Sequence, residues 1–356
     1  VNIQARTVNE FIPKLKGILS EKIKACKLKL SEMQPTCATP SDRQHKLRRV
    51  TNNVQQEFFE AMTASDSRAD ENLHVSARMY EHFQKFQEAV MKEVPDFFSE
   101  KQEKDLDVLI TEVRGGALAN FMSHPVFRRI ILRVFDGPLE RHSQTLLEQS
   151  EEYLIEACSK FITESCGDGV PQLADALIEE CNDIIRTQKE KACVIVKEIR
   201  SSEQWMFTQN HYYMETIAKI KAAINDLYKK LTGPDSDGDP PKTSSVHGVP
   251  EGFIRKYAQG LEEGATNEKM AIWDMQISLH CYAKVVEKRT FDVIPGIVRH
   301  KMVKQLHEEL QMIDSRFTND KIDTLMREDP KVARTRNQCE QSLQRLLNAQ
   351  RAMRTI

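Results

Sequence analysis

Glycine and proline are scarce, 13 of each in 356 residues. A β-rich chain of this size needs many more turn residues, so long helices are the expected element. No segment alternates apolar and polar residues clearly enough to read as a strand, and no internal repeat is apparent. The sequence contains no Gly-x-x-x-x-Gly-Lys-Ser/Thr loop and no Gly-x-Gly-x-x-Gly. The common backbone cradles for nucleotide phosphates are therefore missing from this chain. His-x-x-x-His pairs are absent, and the eight cysteines (Cys26, Cys37, Cys158, Cys166, Cys181, Cys193, Cys281, Cys339) contain no Cys-x-x-Cys. Scattered thiols of this kind match no zinc pattern and suit a reduced, cytoplasmic chain, peripheral at membranes if it meets them at all. No apolar run reaches the ~20 residues that span a bilayer. A net charge of -2 gives no general attraction to nucleic acid, so none is expected as a partner. The first residue is Val, which reads as the start of a piece of a longer protein.

What remains is helical periodicity. Between Ala271 and Ile356 the apolar residues Ile272, Met275, Leu279, Tyr282, Val286, Val293, Ile297, Met302, Leu306, Leu310 and Ile313 recur mostly at steps of three and four. They form one stripe along a long helix that needs partner helices to cover it. Pro295 falls inside that helix and predicts a local kink. Asp329-Pro330 reads as the cap and first turn of a last helix. Earlier runs predict helices over Phe11–Met33, Leu47–Met62 and Met79–Val90, with Pro35 and Pro40 as interruptions. Ser99-x-x-Gln102 resembles a capping box for a helix bearing Leu106, Leu109 and Ile110. Pro125 opens a helix through Ile162, kinked at Gly137-Pro138, and Pro171 opens another that continues toward Leu231. From Leu231 to Asn267 the tract Gly233-Pro234-Asp235-Ser236-Asp237-Gly238-Asp239-Pro240-Pro241 predicts an exposed loop, with a short ordered piece near Phe253–Tyr257.

Candidate chemistry is thin. His300 and His307 lie in a basic tract and read as solvated side chains. Cys158, Cys166, Cys181 and Cys193 read as small buried residues, and Trp205 and Trp273 as packing residues. Two basic tracts, Arg43/Lys46/Arg48/Arg49 and Lys284/Lys288/Arg289/Arg299/Lys301/Lys304, suit either solvated faces or contacts between copies. Phe253, Arg255, Lys256 and Tyr257 together suit an anionic membrane surface or a target. No catalytic set is visible, and the chain is not expected to be an enzyme.

Four tracts resemble the dynamin superfamily. Tyr282-Ala-Lys-Val-Val-Glu-Lys-Arg-Thr-Phe-Asp-Val-Ile-Pro295 resembles its GTPase effector domain, and Leu325-Met-Arg-Glu-Asp-Pro-Lys-Val-Ala-Arg-Thr-Arg336 that domain's last helix. Arg114-Gly-Gly-Ala-Leu-Ala-Asn-Phe-Met-Ser-His-Pro-Val-Phe-Arg-Arg-Ile-Ile131 is similar to the middle-domain junction. Phe207-Thr-Gln-Asn-His-Tyr-Tyr213 is similar to a tract of Mx-like members. The resemblance implies an all-α stalk, an elongated antiparallel four-helix bundle with a long flexible loop. Residues 1–230 would be the middle region, 231–267 the tip loop and 268–356 the effector domain closing the bundle. Too few residues separate the two regions for a pleckstrin-homology domain. Self-association into dimers and higher oligomers is implied, together with contacts to the protein's own GTPase domain and bundle signalling element. GTP and Mg would belong to that separate GTPase domain, and no cofactor to this chain. The assembly contact would involve Arg114, Gly115, Gly116, Leu118, Asn120 and Phe121, where Ala119-Asn120 departs from the family pattern. The dimer contact would involve Trp205, Met206, Phe207, Tyr212, Tyr213, Trp273 and Met275. A helical tethering or scaffold adaptor unrelated to GTPases is the competing reading of the same helices.

Overall fold

A computed structural model describes residues 2–32, 39–63, 70–112, 124–167, 170–233, 244–326 and 330–353. Among them the fold is helical: α1 (Asn2–Glu32), α2 (Pro40–Thr63), α3 (Val75–Glu93), α4 (Glu100–Glu112), α5 (His124–Cys166), α6 (Pro171–Glu203), α7 (Tyr212–Thr232), α8 (Glu251–Glu263), α9 (Asn267–Val298), α10 (Gln305–Leu310), α11 (Asn319–Leu325) and α12 (Pro330–Ala352). A lone bridge between Val246 and Val249 is the sole β pairing among the described residues. By contacts the chain divides into two compact units, one of Val1–Phe59, Cys158–Asn182 and Glu309–Ile356, the other of Glu60–Ala157 and Asp183–Glu308.

Local chemistry sets the helix ends. Pro40 starts α2 rather than blocking it, because the first helical position needs no N–H. Thr39 Oγ1 accepts from Asp42 N and Asp42 Oδ2 from Thr39 N, both at 3.1 Å, a reciprocal cap. The Thr266 and Thr318 hydroxyls accept from Lys269 N and Lys321 N and so cap α9 and α11. α5 ends at Gly167, whose φ of 61° few other residues adopt.

In the first unit, α2 presents Leu47, Val50, Val54 and Phe58 to a core that includes Phe161, Ile162, Leu173, Leu177, Ile313 and Ile322. Phe58 meets Phe161 edge-on at 6.4 Å. Arg43 pairs with Asp323 at 2.6 Å, and Glu180 receives Lys321 at 2.9 Å, so charges of α2, α6 and α11 pair within the unit. α1 packs along α12, with Ile23 as its buried residue.

The second unit carries a four-helix bundle of α3, α5, α6 and α9, with α4 and α7 packed on α9 and α8 on α7. Glu93 of α3 holds Arg141 and His142 of α5 at 2.6 Å, and His82 meets Tyr153 at 5.8 Å. Glu151 and Glu140 of α5 pair with Lys189 and Arg200 of α6, each at 2.6 Å. Rising numbers on one helix meet falling numbers on the next, so these neighbours run antiparallel. α9 closes the bundle against α3, with Phe86 and Phe291 at 6.0 Å and Gln276 Nε2 donating to Phe97 O at 2.8 Å. α9 carries the first part of the stripe read in the sequence, with Ile272, Met275, Leu279, Tyr282 and Val286 buried. Val293 is exposed, Ile294 and Val298 are buried in its place, and Met302, Leu306, Leu310 and Ile313 follow beyond α9. Each such aliphatic side chain contributes about 1.5–3 kcal/mol.

At Pro295, where a kink is expected, α9 runs on unbroken. Helix hydrogen bonding continues through Pro295 and widens into a π-helical turn at Arg299–Lys304 before α10. Proline has no N–H for the carbonyl four residues back, that of Phe291. Gln87 Nε2 of α3 donates to this carbonyl instead, at 3.4 Å. Pro138 likewise lies within α5, which runs unbroken from His124 to Cys166.

Three expectations need correction. The helix from Pro171 stops at Glu203 and restarts at Tyr212, and between them the Gln204 and Phe207 carbonyls accept from Arg128 and Arg289. Residues 244–266 are not an exposed loop: α8 occupies Glu251–Glu263 and buries Phe253, Ile254, Tyr257 and Ala258. Gly264, at φ 74°, ends it. His307 is buried rather than solvated, and burial lowers its pKa, whereas His300 is exposed.

A candidate assembly surface

Between α6 and α7 the chain leaves two aromatic side chains in water, Trp205 at 82% and Phe207 at 66% exposure. Met214, in the first turn of α7, is 64% exposed. Met206, Tyr212 and Tyr213 are half-buried beside them. Scattered exposed apolar residues are ordinary, but two exposed aromatic rings and a methionine within ten residues make this segment the candidate surface.

The segment is held rather than loose. Arg128 Nε donates to Gln204 O at 3.3 Å, and Arg289 donates to Phe207 O at 3.1 Å while also pairing with Glu203. Thr208 Oγ1 accepts from Asn210 N at 3.1 Å, and Asn210 Oδ1 accepts from Tyr212 N at 2.9 Å, which starts α7. Lys288 lies 3.7 Å from the Tyr212 ring centre, and Tyr213 meets Tyr282 edge-on at 5.9 Å. Burial disfavours the Arg289 charge, but the hydrogen bond and charge of Glu203 outweigh it and raise its pKa. The Tyr282 hydroxyl beside Arg289 is shifted up, chiefly by burial. Two arginines from α5 and α9 therefore fix the backbone from which Trp205 and Phe207 project.

The other sequence candidates fall in three places. Arg114, Gly115, Gly116, Leu118, Asn120 and Phe121 lie outside the described residues. Trp273 and Met275, expected at the same surface as Trp205, are buried inside the second unit. The Trp273 N–H donates to Glu103 at 3.1 Å, its ring tilts against Tyr257 at 5.4 Å, and Lys256 lies 5.8 Å from its centre. The membrane cluster is likewise dispersed. Phe253 and Tyr257 point into the core, Tyr257 donates to Asp274 at 2.8 Å, Lys256 pairs with Glu103, and Arg255 pairs with Glu251 at 3.0 Å. An amphipathic helix whose apolar face is already covered has none to offer a lipid surface.

The basic tracts are also partly used internally: Arg43 and Arg48 reach Asp323 and Asp314, while Lys284 pairs with Glu287 at 2.8 Å. Among the described residues no helix is long and apolar enough to cross a membrane. Sequence reasoning missed Met214, whose exposure follows from the restart of α7 at Tyr212.

Comparison with known proteins agrees with this architecture. Residues 1–222 match the dynamin central region and residues 267–356 the dynamin GTPase effector domain. The chain is 21% identical over 351 residues to interferon-induced GTP-binding protein Mx2 of Oncorhynchus mykiss, covering 96% of this chain and 52% of that protein. It is also 21% identical over 354 residues to the Mx protein of Siniperca chuatsi, covering 96% and 51%. The chain thus spans about half the length of these curated relatives. The two matched regions together decide against an adaptor unrelated to GTPases. The chain belongs to the dynamin superfamily and comprises the stalk-forming central region and GTPase effector domain of an Mx-like member.

Proposed function

We propose that this chain is the self-assembly stalk of a dynamin-like large GTPase. It forms dimers and higher oligomers and couples a GTPase domain of the parent protein to remodelling of a membrane or another target. The observation that carries the reading is the pinned aromatic segment, Trp205 and Phe207, exposed on a bundle of long packed helices. An aromatic side chain buries about 150–250 Å², worth roughly 4–6 kcal/mol gross at about 25 cal/mol per Å² before the costs of association. Helices packed as densely as α3, α5, α6 and α9 move as rigid bodies, which suits a lever between a nucleotide-driven head and its target.

The resemblance adds a second contact at Arg114–Phe121, used for growth beyond the dimer. GTP and magnesium would be held by the GTPase domain, and this chain would not turn over nucleotide. Calorimetric titration with GTP and Mg²⁺ is expected to give no binding heat. Its location would be cytoplasmic. Sedimentation velocity across a concentration series tests the reading. Wild type should shift to larger species with concentration, and a Trp205→Asp/Phe207→Asp variant of unchanged helicity should remain small. A double variant that assembles like wild type removes this surface from the proposal.

A further inference from the structure

Within the second unit, α4, the end of α3 and the middle of α5 line an open-sided cavity of about 310 Å³. That is within the size range of small-ligand sites. Its floor is hydrocarbon: Leu106, Leu109, Val134 and Pro138. Lys101, Arg133 and Asp105 also line it, and their side chains have no ion-pair or hydrogen-bond partner among the described residues. Pro138 offers no N–H to the Val134 carbonyl, and no side chain among the described residues donates in its place. This differs from Pro295, where Gln87 serves the orphaned carbonyl.

A simple anion uses these groups poorly, because Asp105 opposes it and the floor is apolar. An aromatic ring carrying one N–H uses all of them. The ring covers the floor, its electron-rich face meets Lys101 or Arg133, and its N–H reaches a waiting acceptor, Asp105 or the Val134 carbonyl. The same chain already houses an indole in such surroundings. Trp273 is buried with its N–H on the Glu103 carboxylate and Lys256 near its face. The chain has two tryptophans, and the other, Trp205, stands in water on a fixed backbone.

We propose that Trp205 of one copy enters this cavity of a second copy. The inference rests on the self-association reading and names its partner surfaces. Exchanged both ways between two copies, knob and socket close a pair, and growth beyond that pair is left to the contact at Arg114–Phe121.

Two variants of the full chain test it by sedimentation velocity. Trp205→Ala removes the knob, and Leu109→Trp fills the socket from within. Each alone should weaken self-association at least tenfold. Mixed in equal amounts they should pair again, more weakly than wild type, since one keeps the socket and the other the knob. N-acetyl-tryptophanamide at millimolar concentration should inhibit the wild type, and the phenylalanine analogue, which lacks the indole N–H, should inhibit less. Should Leu109→Trp lose helicity, Asp105→Ala with Arg133→Ala takes its place. Wild-type association of the socket variants overturns the pairing. If Trp205→Ala still weakens assembly in that case, the stalk reading stands without this socket. Failure of the mixture to pair overturns it as well.

Discussion

Substituting two glycines of one helix should change stability in opposite directions. In α8, a Cβ added at Gly260 would lie 2.5 Å from two ring atoms of Trp273. Carbon atoms pack at about 3.5–4.0 Å, so something must move by about 1 Å. Trp273 has little room: it is 3% exposed, hydrogen-bonded to Glu103 and backed by Tyr257. Overpacking of this kind costs about 1–3 kcal/mol, offset by the roughly 1 kcal/mol that alanine gains over glycine in a helix. Gly260→Ala should therefore destabilise by about 1 kcal/mol net. At Gly252, in the first turn of the same helix, an added Cβ meets nothing within 4 Å. Gly252→Ala should stabilise by about 0.5 kcal/mol through the unfolded chain. Urea unfolding followed by circular dichroism reads both as midpoint shifts of opposite sign. In a Trp273→Phe background the smaller ring leaves space, and the Gly260→Ala penalty should shrink. Equal stabilisation by both alanines would refute the packing of α8 on Trp273, and with it the ordered reading of residues 251–263.

Three further outcomes follow from particular contacts. Burial works to raise the Glu103 pKa, but hydrogen bonds from Lys256 and Trp273 outweigh it and hold the carboxyl below its ordinary 4.5. That contribution is complete above pH 4.5 and is lost as pH falls through the depressed value. Glu103→Gln should therefore flatten the acid side of the stability–pH curve, and an unchanged slope below pH 4.5 counts against the assignment. Gln87→Leu should cost about 0.5–1 kcal/mol by leaving the Phe291 carbonyl without a donor, and almost nothing in a Pro295→Ala background that restores the backbone N–H. Urea midpoints of the double-mutant cycle check this, and equal losses in both backgrounds would exclude the role of Gln87. Arg289→Met strips the Phe207 carbonyl and leaves Glu203 in a largely buried site without its cation, at a cost of about 2 kcal/mol. Trp205 fluorescence anisotropy should fall as its segment loosens, read in a Trp273→Phe chain with only one tryptophan.

Much of the helical content was legible because period alone carries it. The stripe that begins at Ile272, the Ser99 start of α4 and the Pro171 start of α6 all rest on local signals, and Gln102 N does bond to Ser99 Oγ at 3.4 Å. The break at residues 204–211 was not legible. Nothing in Gln204-Trp-Met-Phe-Thr-Gln-Asn210 forbids a helix, and the arginines that hold the interrupted segment lie 76 and 82 residues distant in sequence. Helix α8 was read only as a short ordered piece near Phe253–Tyr257, for another reason. The Gly/Pro/Asp tract before it governed the reading, although Phe253, Ile254, Tyr257 and Ala258 have helical spacing between Pro250 and Gly264. Of the surface, Trp205 and Phe207 came from the family resemblance. That resemblance could not separate them from Trp273 and Met275, because an aromatic residue on a periodic stripe reads alike whether a neighbouring helix or a second molecule covers it. The assembly contact at Arg114–Phe121 stays an expectation from the same resemblance.

The stalk reading meets its most direct test in light scattering of the chain over a wide concentration range, wild type beside Arg114→Asp. Wild type should grow from dimers into larger species as concentration rises. Arg114→Asp, at unchanged helicity, should stop at the dimer. A wild type that stays monomeric at every concentration contradicts the assembly role itself, and an Arg114→Asp chain that grows like wild type contradicts the contact assigned to that residue.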